Sequence, residues 1–152
     1  MNLSPNFTLR ELTDSATAIA GGWENVPPPE VMPALRATAA GLEAVRSLLS
    51  GIVGHDVPVI VTSGYRSPRL NRAIGSRDTS QHVLGEAADF RAPQFGTPAQ
   101  IVATIARSSI AFDQVISEST RSGARWVHIS FGPRNRRAVL EIDDAGTRVF
   151  AG

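Results

Sequence analysis

Apolar residues in the first third of the chain recur at helical intervals. From Glu30 onward, Val31, Leu35, Leu42, Val45, Leu49 and Ile52 follow a spacing of about 3.6 residues, which predicts a long amphipathic helix. Pro33 is tolerable there because it falls in the first turn, and Gly54 is a plausible stop. Ahead of this helix, Thr8-x-x-Glu11 has the form of a capping box. It predicts a short helix through "FTLRELTDSATA", broken by "GGWENVPPPE".

Beyond Gly54 the pattern changes to short β-branched runs: "VPVIVTS" (57–63), "AADFRA" (87–92), "DQVISE" (113–118), "RWVHISF" (125–131) and "AVLEID" (138–143). These are the expected strands of one sheet. Between the second and third, Thr97-Pro98-Ala99-Gln100 combines an N-cap, a proline at the first helical position and a glutamine that reaches back, so a second helix should start there. "DDAG" before "TRVF" reads as a hairpin turn. The fold class is α+β, a small antiparallel sheet with mainly N-terminal helices packed on it.

A chain of 152 residues suits a single domain over 1–152, and folding at that size buries roughly 68–70% of the unfolded surface. No linker or second core remains for a separate binding module. Fifteen basic and fourteen acidic residues leave a formal charge of +1, without the dense basic footprint of a nucleic-acid binder. With no cysteine, any metal must be held by His, Asp or Glu. The start, "MNLSPNFTLREL", lacks the basic and apolar regions of a secretory signal, and no apolar run approaches the ~20 residues needed to span a membrane. The expectation is a monomer without membrane insertion, cytoplasmic as synthesised.

The stretch "SQHVLGEAADF" (80–90) places His82 and Asp89 around Gly85. Donor atoms on a tetrahedral zinc lie only about 3–3.5 Å apart. Seven residues of strand would carry the chain about 23 Å and seven of helix about 10.5 Å, so the chain must double back for both to reach one metal. Gly85 permits such a reversal, and Ala87 and Ala88 let the next strand pack closely. Strand alternation in "RWVHISF" sets Trp126, His128 and Ser130 apart from Val127, Ile129 and Phe131, so His128 is free to face a cleft. Two imidazoles and one carboxylate suit zinc and leave a fourth position for water, the open arrangement of catalytic sites. In "SGYRSPRLN" (63–71), Arg66 follows the first strand run and could hold a carboxylate by two parallel hydrogen bonds. His55, in "VGHDVP", reads as a polar loop residue.

Ser80-x-His82-x-x-Gly85-x-Ala87-x-Asp89, preceded by "SGYRS" and followed by "WVHIS", resembles the zinc peptidases that include D-alanyl-D-alanine carboxypeptidases and the L-alanyl-D-glutamate peptidases of phage endolysins. Their fold is shared with the hedgehog signalling domain and the vancomycin-resistance dipeptidases. The resemblance extends to "FTLREL" and "NVPPPEVMPALRATAAGLEAVRSLL", and so covers most of the chain. It implies that His82, Asp89 and His128 are zinc ligands and that Arg66, with Ser80 nearby, binds a peptide carboxylate, Gln81 lining the same pocket. It further implies hydrolysis of an amide bond in the peptidoglycan stem, by a phage endolysin that acts on the wall after release.

One position departs from that pattern. Several members of the group carry an acidic residue three before the last histidine ligand, as the base that activates water; here it is Arg125. Glu118 is the first choice for the base, because a hairpin "DQVISE…RWVHIS" could bring it beside His128. Glu86, inside the metal motif, and Asp113, at the start of the strand run, are the alternatives. A non-catalytic, zinc-stabilised binding or virion-structural domain is the rival reading, since fold alone does not determine function.

Overall fold

The computed structural model describes residues 1–152. Two short strands, β1 (Asn2–Ser4) and β2 (Phe7–Thr8), pair antiparallel at the N-terminus. The capping box forms: the Thr8 N–H donates to Glu11 Oε1 (3.2 Å) and the Glu11 N–H to Thr8 Oγ1 (3.1 Å). Only turns follow it, and the expected helix is displaced. α1 (Ala16–Gly21) begins after Ser15, whose hydroxyl accepts from the Ala18 N–H. Ser15 is extended (φ −152°, ψ 118°), so the first helix turn is not propagated; capping satisfies donors without supplying the bonds that lengthen a helix.

A short 3-10 turn (Pro29–Val31) leads into α2 (Met32–Val53), which carries Pro33 in its first turn and ends at Gly54 in the left-handed conformation. Leu35, Ala39, Leu42, Val45 and Leu49 are fully buried, each leucine contributing about 1.5–3 kcal/mol, whereas Ile52 on the last turn is exposed. The remaining elements are β3 (Ile60–Ser63), α3 (Pro68–Ile74), β4 (Ala87–Arg91), α4 (Pro98–Ala106), β5 (Gln114–Ser119), β6 (Arg125–Ser130), β7 (Ala138–Asp143) and β8 (Gly146–Val149). α4 has the expected capping box, with both reciprocal bonds between Thr97 and Gln100. The β7–β8 hairpin turns where "DDAG" was read, pairing Asp143 with Gly146.

Strands β3-β4-β6-β5-β7-β8 form one six-stranded sheet. All neighbouring pairs are antiparallel except β5 and β7, a departure from the antiparallel expectation. The connection 131–137 hops from β6 over β5, and skipping one strand of opposite direction makes the next pairing parallel. One face of the sheet presents Ala88, Phe90, Val115, Val127 and Ile129 to a core shared with α2 and α4. Residues of the other parity, Asp89, Ile116, Glu118 and His128 among them, project from the opposite face.

Candidate functional site

Asp89 and His128 are direct partners across β4 and β6, and Asp89 Oδ1 lies 3.0 Å from His128 Nδ1. His82 arrives from the turn between α3 and β4. There the N–H groups of Val83, Leu84 and Gly85 close back on the carbonyls of Ser80, Gln81 and His82, and the Glu86 N–H on Gln81. Gly85 makes the reversal at φ +75°, and a Cβ on it would come within 2.6 Å of Val31 Cγ1. Its carbonyl accepts a 2.7 Å hydrogen bond from the buried Thr38 hydroxyl, which ties the turn to α2. The chain thus doubles back, and His82 Nε2 lies 3.3 Å from Asp89 Oδ1. One donor atom from each residue lies within 4.8 Å of the others.

The hydrogen bonds around this trio fit a cation. His82 Nδ1 must donate to the Gly64 carbonyl (2.7 Å), because a carbonyl only accepts; the Nε2 lone pair therefore faces Asp89. Burial pushes the His82 pKa down, outweighing the pull of Asp89. Burial opposes the charge on Asp89 as well, yet the two histidines outweigh it and hold its carboxyl well below the usual range. A neutral imidazole lone pair and an ionised carboxylate oxygen at 3.3 Å repel unless a positive charge lies between them. That separation is also close to the edge expected of a tetrahedral zinc, about 3–3.5 Å. His128 is different: burial works against its charge, but the hydrogen bond and charge of Asp89 raise its pKa, so metal binding there displaces a proton.

Arg66 sits beside the trio, its side chain only 12% exposed. Its Nε donates to Ser63 Oγ (3.2 Å) and its Nη2 to Asp89 Oδ2 (3.3 Å). It therefore neutralises and orients the carboxylate, with its remaining amino group free of protein partners. Ser80, whose hydroxyl accepts from the His82 N–H (3.3 Å), lines the same pocket of about 290 Å³, together with Glu118 and Trp126.

Glu118 owes this position to register. Ile116 stands opposite His128 and Glu118 opposite Trp126, so the glutamate emerges on the face of the trio. Burial raises its pKa and the negative charge of Asp89 adds to the shift, against the opposing influence of His128. The buried Trp126 indole N–H has no acceptor at hydrogen-bond geometry. Glu86 and Asp113 do not line this pocket. Glu86 accepts from the Gln81 amide (3.4 Å), and Asp113 is fully buried and gripped by Arg136. Gln81 is drawn the same way, its Nε2 donating to Asp113 Oδ2 (3.0 Å), so it lines an adjoining lobe and not the metal pocket. His55 is exposed in the turn after α2.

Arg125 shares the parity of Val127 and Ile129, both fully buried on the core face. An acid at that position would project away from His128, and Arg125 instead rims a separate hollow with Arg91 and Pro93. Sequence reasoning missed the partners that orient the trio, Gly64, Thr38 and Ser63. Gly64 alone carried a signal: a Cβ there would run into the backbone of Leu12, so close approach demands glycine.

The family model described as Peptidase M15 matches residues 5–130. The chain belongs to the peptidase M15 family. A search of curated proteins finds no match. The M15 match takes in His82, Asp89, His128, Arg66 and Glu118, and peptidases of this family are metal-dependent. This M15 chain contains no helix long and apolar enough to cross a membrane.

Proposed function

We propose that this M15 peptidase is a zinc enzyme that hydrolyses an amide bond in the peptide stem of bacterial peptidoglycan, as an endolysin-type D-alanyl-D-alanine carboxypeptidase or L-alanyl-D-glutamate peptidase. The observation that carries the reading is that Glu118 opens into the same pocket as the His82, Asp89 and His128 donor atoms. The substrate class rests on the motif resemblance.

His82, Asp89 and His128 would hold the zinc, which when bound lowers the pKa of water toward about 7 and polarises the scissile carbonyl. Glu118 accepts the proton of the attacking water and returns it to the departing amine. Its raised pKa suits that exchange, because a base works best when its proton affinity approaches the operating pH. Arg66 has two parts in this scheme. It fixes Asp89 through Nη2, and its unpaired amino group, with Ser80, offers donors to a carboxylate of the substrate.

The non-catalytic alternative drew its support from the missing acid at position 125. Glu118, entering from β5, supplies a carboxylate on the side where Arg125 does not project. Digestion of purified peptidoglycan by the zinc-loaded protein, compared with His82→Ala, tests the choice. Release of new amino termini by the parent alone supports the enzyme, and none from either protein supports the binding domain.

A further inference from the structure

The cleft does not end at His128. Beyond it opens a second lobe of about 440 Å³ that shares Ser76, Ser80 and His128 with the metal pocket. Its lining includes three arginines, Arg77, Arg134 and Arg136, and no aspartate or glutamate, in a chain whose charges otherwise nearly balance. Much of it, including Arg134, Arg136 and Ile142, lies past residue 130 and so outside the family match.

The arginines are not equivalent. Arg136 is already neutralised: its backbone N–H and Nε donate to Asp113 Oδ1 (3.1 and 2.8 Å) and its Nη2 to Oδ2 (2.8 Å). Arg137 bonds the carbonyls of Ala106, Ser108 and Ile110, so the loop is pinned on two sides. Asn135 and Arg137 hold left-handed backbone angles (φ 43° and 52°), a conformation that pinning can sustain. Arg134 is thereby presented by a fixed loop, its nearest carboxylate 4.0 Å away and already committed to Arg136. Arg77 has no ion pair. Two guanidinium groups without a carboxylate of their own therefore line the lobe next to the metal site, where Ile116, Leu140 and Ile142 are set among polar residues.

We infer that this lobe is a subsite for a carboxylate-bearing residue of the peptide, so that the substrate chain runs across the metal site with Arg66 on one side and Arg77 and Arg134 on the other. The inference rests on the peptidase reading above and goes past it by assigning an anionic residue to one side of the scissile bond. A guanidinium recognises a carboxylate by two parallel hydrogen bonds, and a lining with three arginines and no acid favours an anion in the lobe.

The test uses two pentapeptide stems with free C-termini, one keeping its side-chain carboxylates and one with them amidated, and the zinc-loaded full chain. The carboxylate form should have a KM lower by about tenfold or more, the range of one charge-assisted hydrogen bond, with similar kcat. In Arg77→Gln/Arg134→Gln the two KM values should converge. Equal KM for both stems in the parent, or a preference that survives the double substitution, overturns the subsite while leaving the peptidase reading intact. Cleavage of neither stem counts against the peptidase reading instead. Calorimetric binding of both stems to Glu118→Gln then decides the subsite: tighter binding of the carboxylate form, lost without Arg77 and Arg134, supports it, and equal or absent binding overturns it.

Discussion

Ile116 of β5 stands directly opposite His128 of β6, and this one pairing decides which carboxylate can serve the metal. Side chains alternate along a strand, so Glu118, two residues on, shares the face of His128; a slip of one residue would send it into the core side. Glu118→Gln keeps the shape and cannot accept a proton. The variant should retain its fold and zinc while its turnover falls by about 10²–10⁴-fold, measured as amino termini released from peptidoglycan. Parental turnover by Glu118→Gln would remove the glutamate from the mechanism.

Arg66 divides its guanidinium between Ser63 and Asp89. Lysine keeps the charge but has no rigid fork with which to make both bonds. Arg66→Lys should bind zinc and lose about 10–100-fold in activity, as expected for a partner of a metal ligand. Equal rates for the two proteins would place Arg66 outside the working site.

Gly64 accepts from His82 Nδ1 while its α-carbon lies against the Leu12 backbone, and the Tyr65 N–H bonds the Leu12 carbonyl (2.8 Å). A methyl group there must displace the loop that orients the imidazole. Gly64→Ala should weaken zinc binding by about 10–100-fold in competition with a chromophoric chelator. Circular dichroism should remain parental, and unaltered affinity would show that the carbonyl does not set the ring.

Asp113 contributes to the pH dependence of stability from outside the metal pocket. The hydrogen bonds from Arg136 hold its carboxyl well below the usual range, against burial, with Gln81 adding to the effect. The unfolded group titrates near ~3.9, so the ion pair contributes fully above that pH and its contribution is lost as pH falls through the lower folded value. Asp113→Asn should melt below the parent at neutral pH, and the gap should close on acidification below about pH 4. A gap that stays constant down to strongly acid pH would contradict the assignment.

Much of this was legible because local patterns and tertiary packing agree. The stripe of α2, the capping box of α4 and the "DDAG" hairpin each needed only neighbouring residues. α3 stands outside the elements expected from the sequence, although Ser67 and Pro68 supply an N-cap and a first-turn proline. With seven residues and Leu70 its only apolar residue buried to the core's degree, it has no periodicity to detect. The Thr8–Glu11 box misled in the opposite direction, because Ser15 restarts the chain in extended form. For the site, residue type and alternation suggested His82, Asp89 and His128 as a group, whereas the place of Glu118 turned on the β5–β6 register. The parity of Arg125 follows from the alternation of "RWVHISF", whereas the capture of Gln81 by Asp113 is a tertiary contact between residues 32 apart, which no local pattern encodes.

The metal centre is the claim on which the rest depends, and metal content tests it most directly. Elemental analysis after zinc loading and desalting should find one zinc per chain in the parent, and far less in His82→Ala, Asp89→Ala and His128→Ala, each of which removes one donor of the trio. A parent that retains no zinc, or three variants that retain as much as the parent, would contradict the account.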